Sequence, residues 1–297
     1  MNKVVIAGAC RTAIGTMGGA LSSVPAVNLG AAVIKEAIHR AGIQPEQVEE
    51  VYMGNALQAG NRPNPARQAA IFAGLPVEVT ATTINVLCGS GLHSINLAAK
   101  MIAMGDKDIA VAGGFENMSQ APYLIKNGRY GYRMGAGKLE DAMLYDALED
   151  AFYDYHMGVT AENVAKRFKL SRKELDEFAA WSQRKCEVAQ AEGRFRDEIV
   201  PVEVKTKKGV VMVKDDEGPR KGVTAESIQG LGPAFEKDGV VTAANSSGIN
   251  DGAAAVVLMS EKKARELGIL PMAYWRFGRC GSADYGDWSD CCYKTRL

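Results

Sequence analysis

Ala81-Thr-Thr-Ile-Asn-Val-Leu-Cys88-Gly-Ser-Gly91 is the stretch of this chain from which its organisation can be worked out. Residues 81–87 are rich in β-branched side chains, which predicts a short buried strand. Residues 92–104 carry apolar side chains at helical spacing and are followed by Gly105, which predicts a helix that ends there. Cys88 is therefore expected at a sharp strand-to-helix turn, at the N-terminus of a helix.

The predicted position of Cys88 suits a nucleophile. The dipole and the free N–H groups of a helix N-terminus favour the thiolate, which is the reactive form of cysteine. The glycines on both sides of Ser90 would let a ligand approach the backbone closely. These features are typical of covalent acyl transfer through a cysteine. Judged from the turn alone, a small buried cysteine that fills a tight turn is an equally good interpretation.

Composition excludes several other classes of protein. The chain has 297 residues, enough for a substantial core in one large or two ordinary domains. Its 35 basic and 35 acidic residues balance, so neither a nucleic acid nor a membrane is expected as a partner. The apolar N-terminal run is too short for a signal peptide or a membrane span. Six cysteines at irregular spacing favour a reducing, cytoplasmic location over a disulfide framework.

Periodicity divides the chain into segments of different character. Strand-like and helix-like segments alternate from residue 3 to about 118, which predicts an α/β layered sheet with parallel strands. Between 119 and 248, a capping box at Ser171–Glu174 predicts a long helix, and Lys207-Lys208-Gly209 predicts a hairpin. Residues 128–137 predict an exposed loop rather than a nucleotide-binding one, because no strand precedes them. Residues 252–259 return to a buried-strand pattern.

Three further motifs follow Cys88 in order. They are Ala112-Gly-Gly-Phe-Glu-Asn-Met-Ser119-Gln-Ala-Pro122, Met157-Gly-Val-Thr-Ala-Glu-Asn-Val-Ala165 and Asn245-Ser-Ser-Gly-Ile-Asn-Asp-Gly-Ala-Ala-Ala255. With the cysteine turn, they closely resemble the thiolases, in particular the acetyl-CoA acetyltransferases, from Val4 to about Pro271. The related β-ketoacyl synthases share the cysteine turn but not residues 113–119.

The resemblance implies a thiolase-like layered fold. Residues 1–118 and 249–270 would form its N-terminal α/β domain, with residues 119–248 as an inserted loop domain. Residues 271–297 depart from the family pattern, so the second α/β half is expected to be absent. Tyr274–Leu297 is expected to be the product of a frameshift or a misread end, not an evolved segment. No zinc site is expected from the tail cysteines Cys280, Cys291 and Cys292, because the tail has no histidine.

The resemblance also implies a reaction and its residues. Cys88 would hold an acyl group taken from a CoA thioester, and a second acyl-CoA would attack that group through its α-carbon. Leu148 and Met157 would line the narrow arm of the site, and Arg220 and Ser227 would lie near the adenine. The residues expected to contact pantetheine are His156, Phe235, Ala243 and Ser247.

Structural interpretations of these residues stay open. Leu148 and Phe235 could pack in a core, Arg220 could be a solvated loop residue, and His156 could be a capped, structural histidine. His39 is expected to be solvated, and His93 lies about 7.5 Å further along the helix axis than Cys88, so neither suits a base.

The expected activity is condensation of two acetyl-CoA molecules to acetoacetyl-CoA, or the reverse thiolysis. CoA thioesters would be the substrates, with no metal or other cofactor, and the family is homo-oligomeric. The alternative is a catalytically dead, truncated thiolase that only binds CoA or a partner subunit.

Overall fold

The computed structural model describes residues 1–276, which form a large mixed sheet with helices on both faces. The strands are β1 Val4–Thr12, β2 Gly15–Thr16, β3 Glu50–Gly54, β4 Thr80–Ile84, β5 Ile109–Asn117, β6 Tyr123–Leu124, β7 Glu140–Asp141, β8 Ile199–Val200, β9 Val202–Thr206, β10 Gly209–Val213, β11 Asn250–Ser260 and β12 Ala273–Trp275. The helices are α1 Ala26–Arg40, α2 Pro65–Phe72, α3 Ser90–Met104, α4 Met157–Phe168, α5 Arg172–Ala191, α6 Ala225–Ile228 and α7 Glu261–Glu266.

The main path of the sheet runs β12-β1-β11-β5-β3-β4. Strand β3 pairs in parallel with both β4 and β5, as the alternation of strands and helices predicts. Strand β11 lies outside the segment for which parallel strands are predicted, and it is antiparallel to β1 and β5. Asp251 at the start of β11 pairs with Asn117 at the end of β5. Residues 119–248 therefore leave the sheet and return to it at adjacent strand ends. A connection of that kind produces an antiparallel pair.

Helices cover the two faces of the sheet unequally. Alternate strand residues point to opposite faces, so Val51 and Met53 face α1 and α2 whereas Tyr52 faces α3. The larger core lies under α1 and α2 and includes Val5, Leu29, Ile34, Met53 and Val257. The smaller core lies under α3 and includes Tyr52, Ala98, Ile102, Ala110 and Leu258. The predicted α/β layered class is confirmed.

Strand β4, which leads to Cys88, is not the buried strand that its composition predicts. Within residues 1–276 it pairs only with β3, and of its five residues only Ile84 is buried. The threonines explain the difference, because β-branched polar side chains suit a strand whose outer face meets solvent. Its β-branched composition therefore predicts a strand correctly and its burial wrongly.

Residues 119–248 contain α4, α5, α6 and two small two-stranded sheets. The capping box is confirmed, since Ser171 and Glu174 cap α5 reciprocally. The hairpin is confirmed as β9–β10, and residues 128–137 are exposed. Strand β8 and the side chains of Val202, Val204 and Val213 also pack with the larger core. The division into an N-terminal domain and a loop domain stays a prediction.

The chain beyond Pro271 begins with a strand that its pattern does not predict. Ala273–Trp275 pairs with β1 in antiparallel fashion, and Trp275 Nε1 donates to Asn96 Oδ1 at 3.0 Å. A three-residue segment can pair by its backbone without showing any periodicity. The rest of the predicted off-pattern tail, from residue 277, lies outside the described residues. No helix within residues 1–276 is long and apolar enough to cross a membrane.

Candidate active site around Cys88

Cys88 lies in the short turn between the end of β4 at Ile84 and the start of α3 at Ser90, and it is exposed. Leu87, the residue before it, has φ +52°, in the left-handed region that residues other than glycine rarely adopt. Such a conformation costs about 1–3 kcal/mol and persists only where neighbouring contacts hold it. The turn therefore presents the thiol outward at the cost of local strain.

Two polar side chains hold this strained turn. Ser90 Oγ accepts from Val86 N at 3.0 Å and donates to Leu87 O at 2.6 Å. Asn85 Oδ1 accepts from Leu87 N at 2.9 Å, while its Nδ2 donates to Ala56 O at 3.2 Å. Sequence reasoning missed both residues as supports of Cys88. The available signal was a serine and an asparagine flanking a helix start, where such side chains commonly bond the backbone.

The glycine that matters most to this turn lies on another strand. A Cβ at Gly54 of β3 would stand 2.7 Å from the Ser90 carbonyl carbon, so α3 can approach the sheet only because that position is glycine. A Cβ at Gly91 would meet nothing closer than 3.9 Å, from Gly113. Close backbone approach is thus required between α3 and the sheet.

The other described thiols differ sharply from Cys88. Cys10 is buried and donates from Sγ to Val33 O at 3.2 Å, and burial raises its pKa from 9.0 to about 12. Desolvation also raises the pKa of the half-buried Cys186. Since the thiolate is the nucleophile, these two are poor candidates. The alternative reading of Cys88 as a buried, space-filling cysteine is contradicted by its exposure.

None of the three histidines hydrogen-bonds the Cys88 sulfur within residues 1–276. His39 is an exposed side chain near Glu36, with Nδ1 and Oε2 3.7 Å apart. His93 is exposed on α3. His156 Nδ1 accepts from Gly158 N at 2.9 Å and so caps α4. The neutral imidazole then carries its proton on Nε2, which leaves an N–H donor for a ligand.

Four of the predicted CoA contacts come together around His156. Its ring stacks on Phe235 with centroids 4.9 Å apart and planes 14° from parallel. Gly158 adjoins the same ring, since a Cβ there would collide with Phe235. A β-bridge between Glu149 and His156 brings Leu148 towards Met157. His156 thus combines the helix-cap role with a place in the predicted site.

The remaining predicted contacts lie on two loops tied to α5. Ala243 and Ser247 are exposed, and Ser247 Oγ donates only to the carbonyl of Gly248, at 3.3 Å. Ser227 belongs to the short helix α6, which packs on α5. Arg220 N donates to Gln183 Oε1 at 2.9 Å, and the arginine is exposed. Polar groups therefore fix the backbone at the predicted adenine end.

A cavity of about 800 Å³ lies on the sheet face beside α3. Its walls include Gly91 and Ile95 of α3 and the small strand residues Ala112 and Ala254, with Arg11 among the charged groups. None of the predicted CoA contacts lines this cavity. No group of three or more potential metal ligands occurs within residues 1–276.

Comparison with known proteins decides the family. The model of the thiolase N-terminal domain matches residues 4–262. The chain belongs to the thiolase family. An acetyl-CoA acetyltransferase of Cupriavidus necator is 57% identical over 274 residues, which are 92% of this chain and 70% of that thiolase relative. An acetyl-CoA acetyltransferase of Allochromatium vinosum is 54% identical over 275 residues, again 92% and 70%.

Solved thiolase structures agree with the fold. The crystal structure of the Bacillus anthracis acetyl-CoA acetyltransferase superposes with a TM-score of 0.90 at 44% identity. It covers 92% of this chain, and the match spans 69% of that structure. The expected thiolase resemblance and thiolase-like layered fold are therefore confirmed.

Proposed function

We propose that this chain transfers acetyl groups between CoA thioesters through Cys88, condensing two acetyl-CoA molecules to acetoacetyl-CoA or catalysing the reverse thiolysis. The observation that carries this proposal is the exposed cysteine at the strained turn before α3. It is supported by the thiolase family and by relatives named acetyl-CoA acetyltransferase.

The first half-reaction follows from the position of Cys88. Its thiolate attacks the thioester carbonyl of acetyl-CoA, the carbon–sulfur bond to CoA breaks, and CoA leaves as a thiolate that takes up a proton. The product is an acetyl thioester on Cys88. The N–H groups at the start of α3 favour the attacking anion. The Cys88 backbone N–H is proposed as a donor to the developing oxyanion.

The second half-reaction forms the carbon–carbon bond. A second acetyl-CoA loses an α-proton to a base, and the resulting carbanion attacks the acetyl carbonyl on Cys88. The thiolate of Cys88 leaves, and acetoacetyl-CoA is released. The described residues support the acyl-transfer half-reaction most directly, because they include the proposed nucleophile Cys88, whereas no base for the α-proton is assigned among residues 1–276.

The proposed CoA surface follows the predicted contacts. The cluster of His156 and Phe235, with Leu148 and Met157 beside it, would hold the end of pantetheine near the thioester. His156 Nε2–H and the Ser247 hydroxyl are donors available to pantetheine amide carbonyls. Ala243 would contact the same arm, and Arg220 and Ser227 would lie near the adenine.

The proposal extends to the setting of the enzyme. Free thiols at Cys10, Cys88 and Cys186 support a reducing, cytoplasmic location. The relatives named acetyl-CoA acetyltransferase support a role in fatty acid metabolism. We expect a homo-oligomer, with acyl-CoA and CoA as small-molecule partners and no metal or other cofactor.

Acetylation of Cys88 tests the proposal. Incubation with acetyl-CoA should add one acetyl group to Cys88, detected by peptide mass spectrometry, and Cys88→Ala should abolish it. Thiolysis of acetoacetyl-CoA by CoA, followed by absorbance, then tests turnover. CoA binding without acetylation of Cys88 would instead favour the non-catalytic alternative.

A further inference from the structure

Two buried carboxylates on α4 and α5 bond the loop that carries the proposed pantetheine contacts. Glu162 of α4 is 1% exposed and Asp176 of α5 is 3% exposed. Buried charged groups are rare, and they require hydrogen-bonding partners. Neither carboxylate belongs to the expected contact set, so the structure has to supply the reason for their burial.

Glu162 holds the backbone between Phe235 and Ala243. Its Oε2 accepts from Val240 N at 3.0 Å and its Oε1 accepts from Val241 N at 2.8 Å. Val241 O in turn accepts from Ala234 N at 2.9 Å, next to Phe235. One carboxylate thus sets the path of the chain on both sides of this loop.

Gly239 shows that the approach of Glu162 is close. A Cβ at Gly239 would collide with Glu162 Oε1, so only glycine lets the carboxylate reach the two N–H groups that follow. The hydrogen bonds from the loop backbone to the Glu162 carboxylate therefore depend on two residues, Glu162 on α4 and Gly239 on the loop.

Asp176 joins this loop to the proposed adenine end. Its Oδ1 accepts from Asn245 Nδ2 at 3.0 Å, and Asn245 Oδ1 accepts from Thr242 N at 2.7 Å. Its Oδ2 accepts from Arg172 Nε at 2.7 Å. Arg172 Nη2 donates to the carbonyl of Ile228 at 3.1 Å, one residue after Ser227. Every step of this chain is a hydrogen bond between buried or half-buried groups.

We propose that Glu162 and Asp176 are positioning residues for CoA, which hold the loop of Phe235, Ala243 and Ser247 in its ligand-binding shape. This inference rests on the proposed CoA site. Charge-assisted hydrogen bonds to backbone N–H groups fix the loop before the ligand arrives, so binding does not have to order it. Fully satisfied buried networks specify one arrangement in this way.

The test compares Glu162→Gln with Glu177→Gln, a matched change at an exposed position of α5. The amide cannot accept both backbone N–H groups. We expect the calorimetric Kd for CoA to rise about tenfold for Glu162→Gln, which corresponds to the loss of one strong hydrogen bond, and to stay the same for Glu177→Gln. The half-saturating acetyl-CoA concentration for Cys88 acetylation should rise in parallel, while the maximal rate stays the same.

Gly239→Ala provides the second variant, because it breaks the same contact from the loop side. It should reproduce the rise in Kd and leave the rate of Cys88 alkylation by iodoacetamide unchanged. Unchanged CoA affinity in both variants overturns the inference. So does an equal loss of CoA binding and of Cys88 reactivity, which would indicate general unfolding.

The two proposals fail in different ways. A parent chain that binds CoA but is not acetylated counts against the proposed acyl transfer alone, because CoA affinity is measured independently. A parent chain that does not bind CoA removes the proposed site and the positioning role together.

Discussion

The turn that carries Cys88 and the loop that carries Phe235 and Ser247 are built by different forces. The cysteine turn stands on a sheet that packs against two clusters of buried apolar side chains, and the side chains of Ser90 and Asn85 bond its backbone. The 233–247 loop has few buried side chains, and the carboxylates of Glu162 and Asp176 hold it. Apolar burial is strong and non-directional, whereas hydrogen bonds are weaker in net terms but specify geometry. The sheet that carries Cys88 is therefore stabilised mainly by apolar burial, whereas the proposed ligand loop depends on a few polar contacts.

The largest expected effect is a difference in reactivity between the exposed thiol of Cys88 and the buried thiol of Cys10. Iodoacetamide at near-neutral pH should alkylate Cys88 more than about a hundredfold faster than Cys10, because burial raises the pKa of Cys10 to about 12. Cys186, whose pKa is also raised, should fall between them. Peptide mass spectrometry resolves each site separately. Faster labelling of Cys10 or Cys186 in the folded chain would remove the basis of the nucleophile assignment.

Gly54→Ala should disrupt the packing of α3 against the sheet, next to the turn that carries Cys88. The added Cβ would meet the Ser90 backbone at 2.7 Å and push α3 off the sheet. We expect the free energy of unfolding to fall by about 1–3 kcal/mol. The rate of Cys88 alkylation by iodoacetamide should change in the same variant. Urea denaturation measures the first quantity. Gly91→Ala is the control, since its Cβ contacts are ordinary and alanine favours the helix.

Alkaline pH should lower the free energy of unfolding, because the thiol of Cys10 is buried in the larger core. Its pKa is raised from 9.0 to about 12 in the folded chain, so between these values the unfolded state binds fewer protons. Stability from this group is complete below pH 9 and falls as pH rises towards 12, by up to about 1.4 kcal/mol per pH unit. Urea denaturation from pH 8 to 10.5 should show a shallower decline for Cys10→Ala than for the parent. The same decline of stability with pH in the parent and in Cys10→Ala would contradict a raised pKa for Cys10.

Ser247→Val should have the smallest effect, confined to the ligand loop. Its hydroxyl is exposed and makes one weak bond to Gly248 O at 3.3 Å, so its loss should not unfold the chain. Loss of one hydrogen bond to pantetheine should weaken CoA binding about fivefold by calorimetry. Lys262→Ala, on the exposed surface of α7, should leave CoA affinity unchanged. Equal CoA affinity in the parent and Ser247→Val would exclude Ser247 from the site.

Local pattern was sufficient for much of this molecule. The β-branched run before Cys88, the apolar run after it and the capping box at Ser171 are short-range signals. The two helices form where they are predicted, whereas the strand ends at Ile84 rather than at Leu87. The position of Cys88 ahead of a helix follows from them. The CoA contacts came from motif resemblance, because a residue such as Ser247 carries no local signal of its role.

Tertiary structure alone settled the features that depend on distant partners. The direction of β11 follows from where the 119–248 excursion re-enters the sheet, and the exposure of β4 from its place at the edge. Gly54 and Ser90 are 36 positions apart in the chain, yet their contact shapes the cysteine turn. Glu162 and Asp176 look like ordinary helix-surface acids in the sequence. Their burial depends on which backbone N–H groups folding brings beside them, and periodicity along one helix does not contain that information.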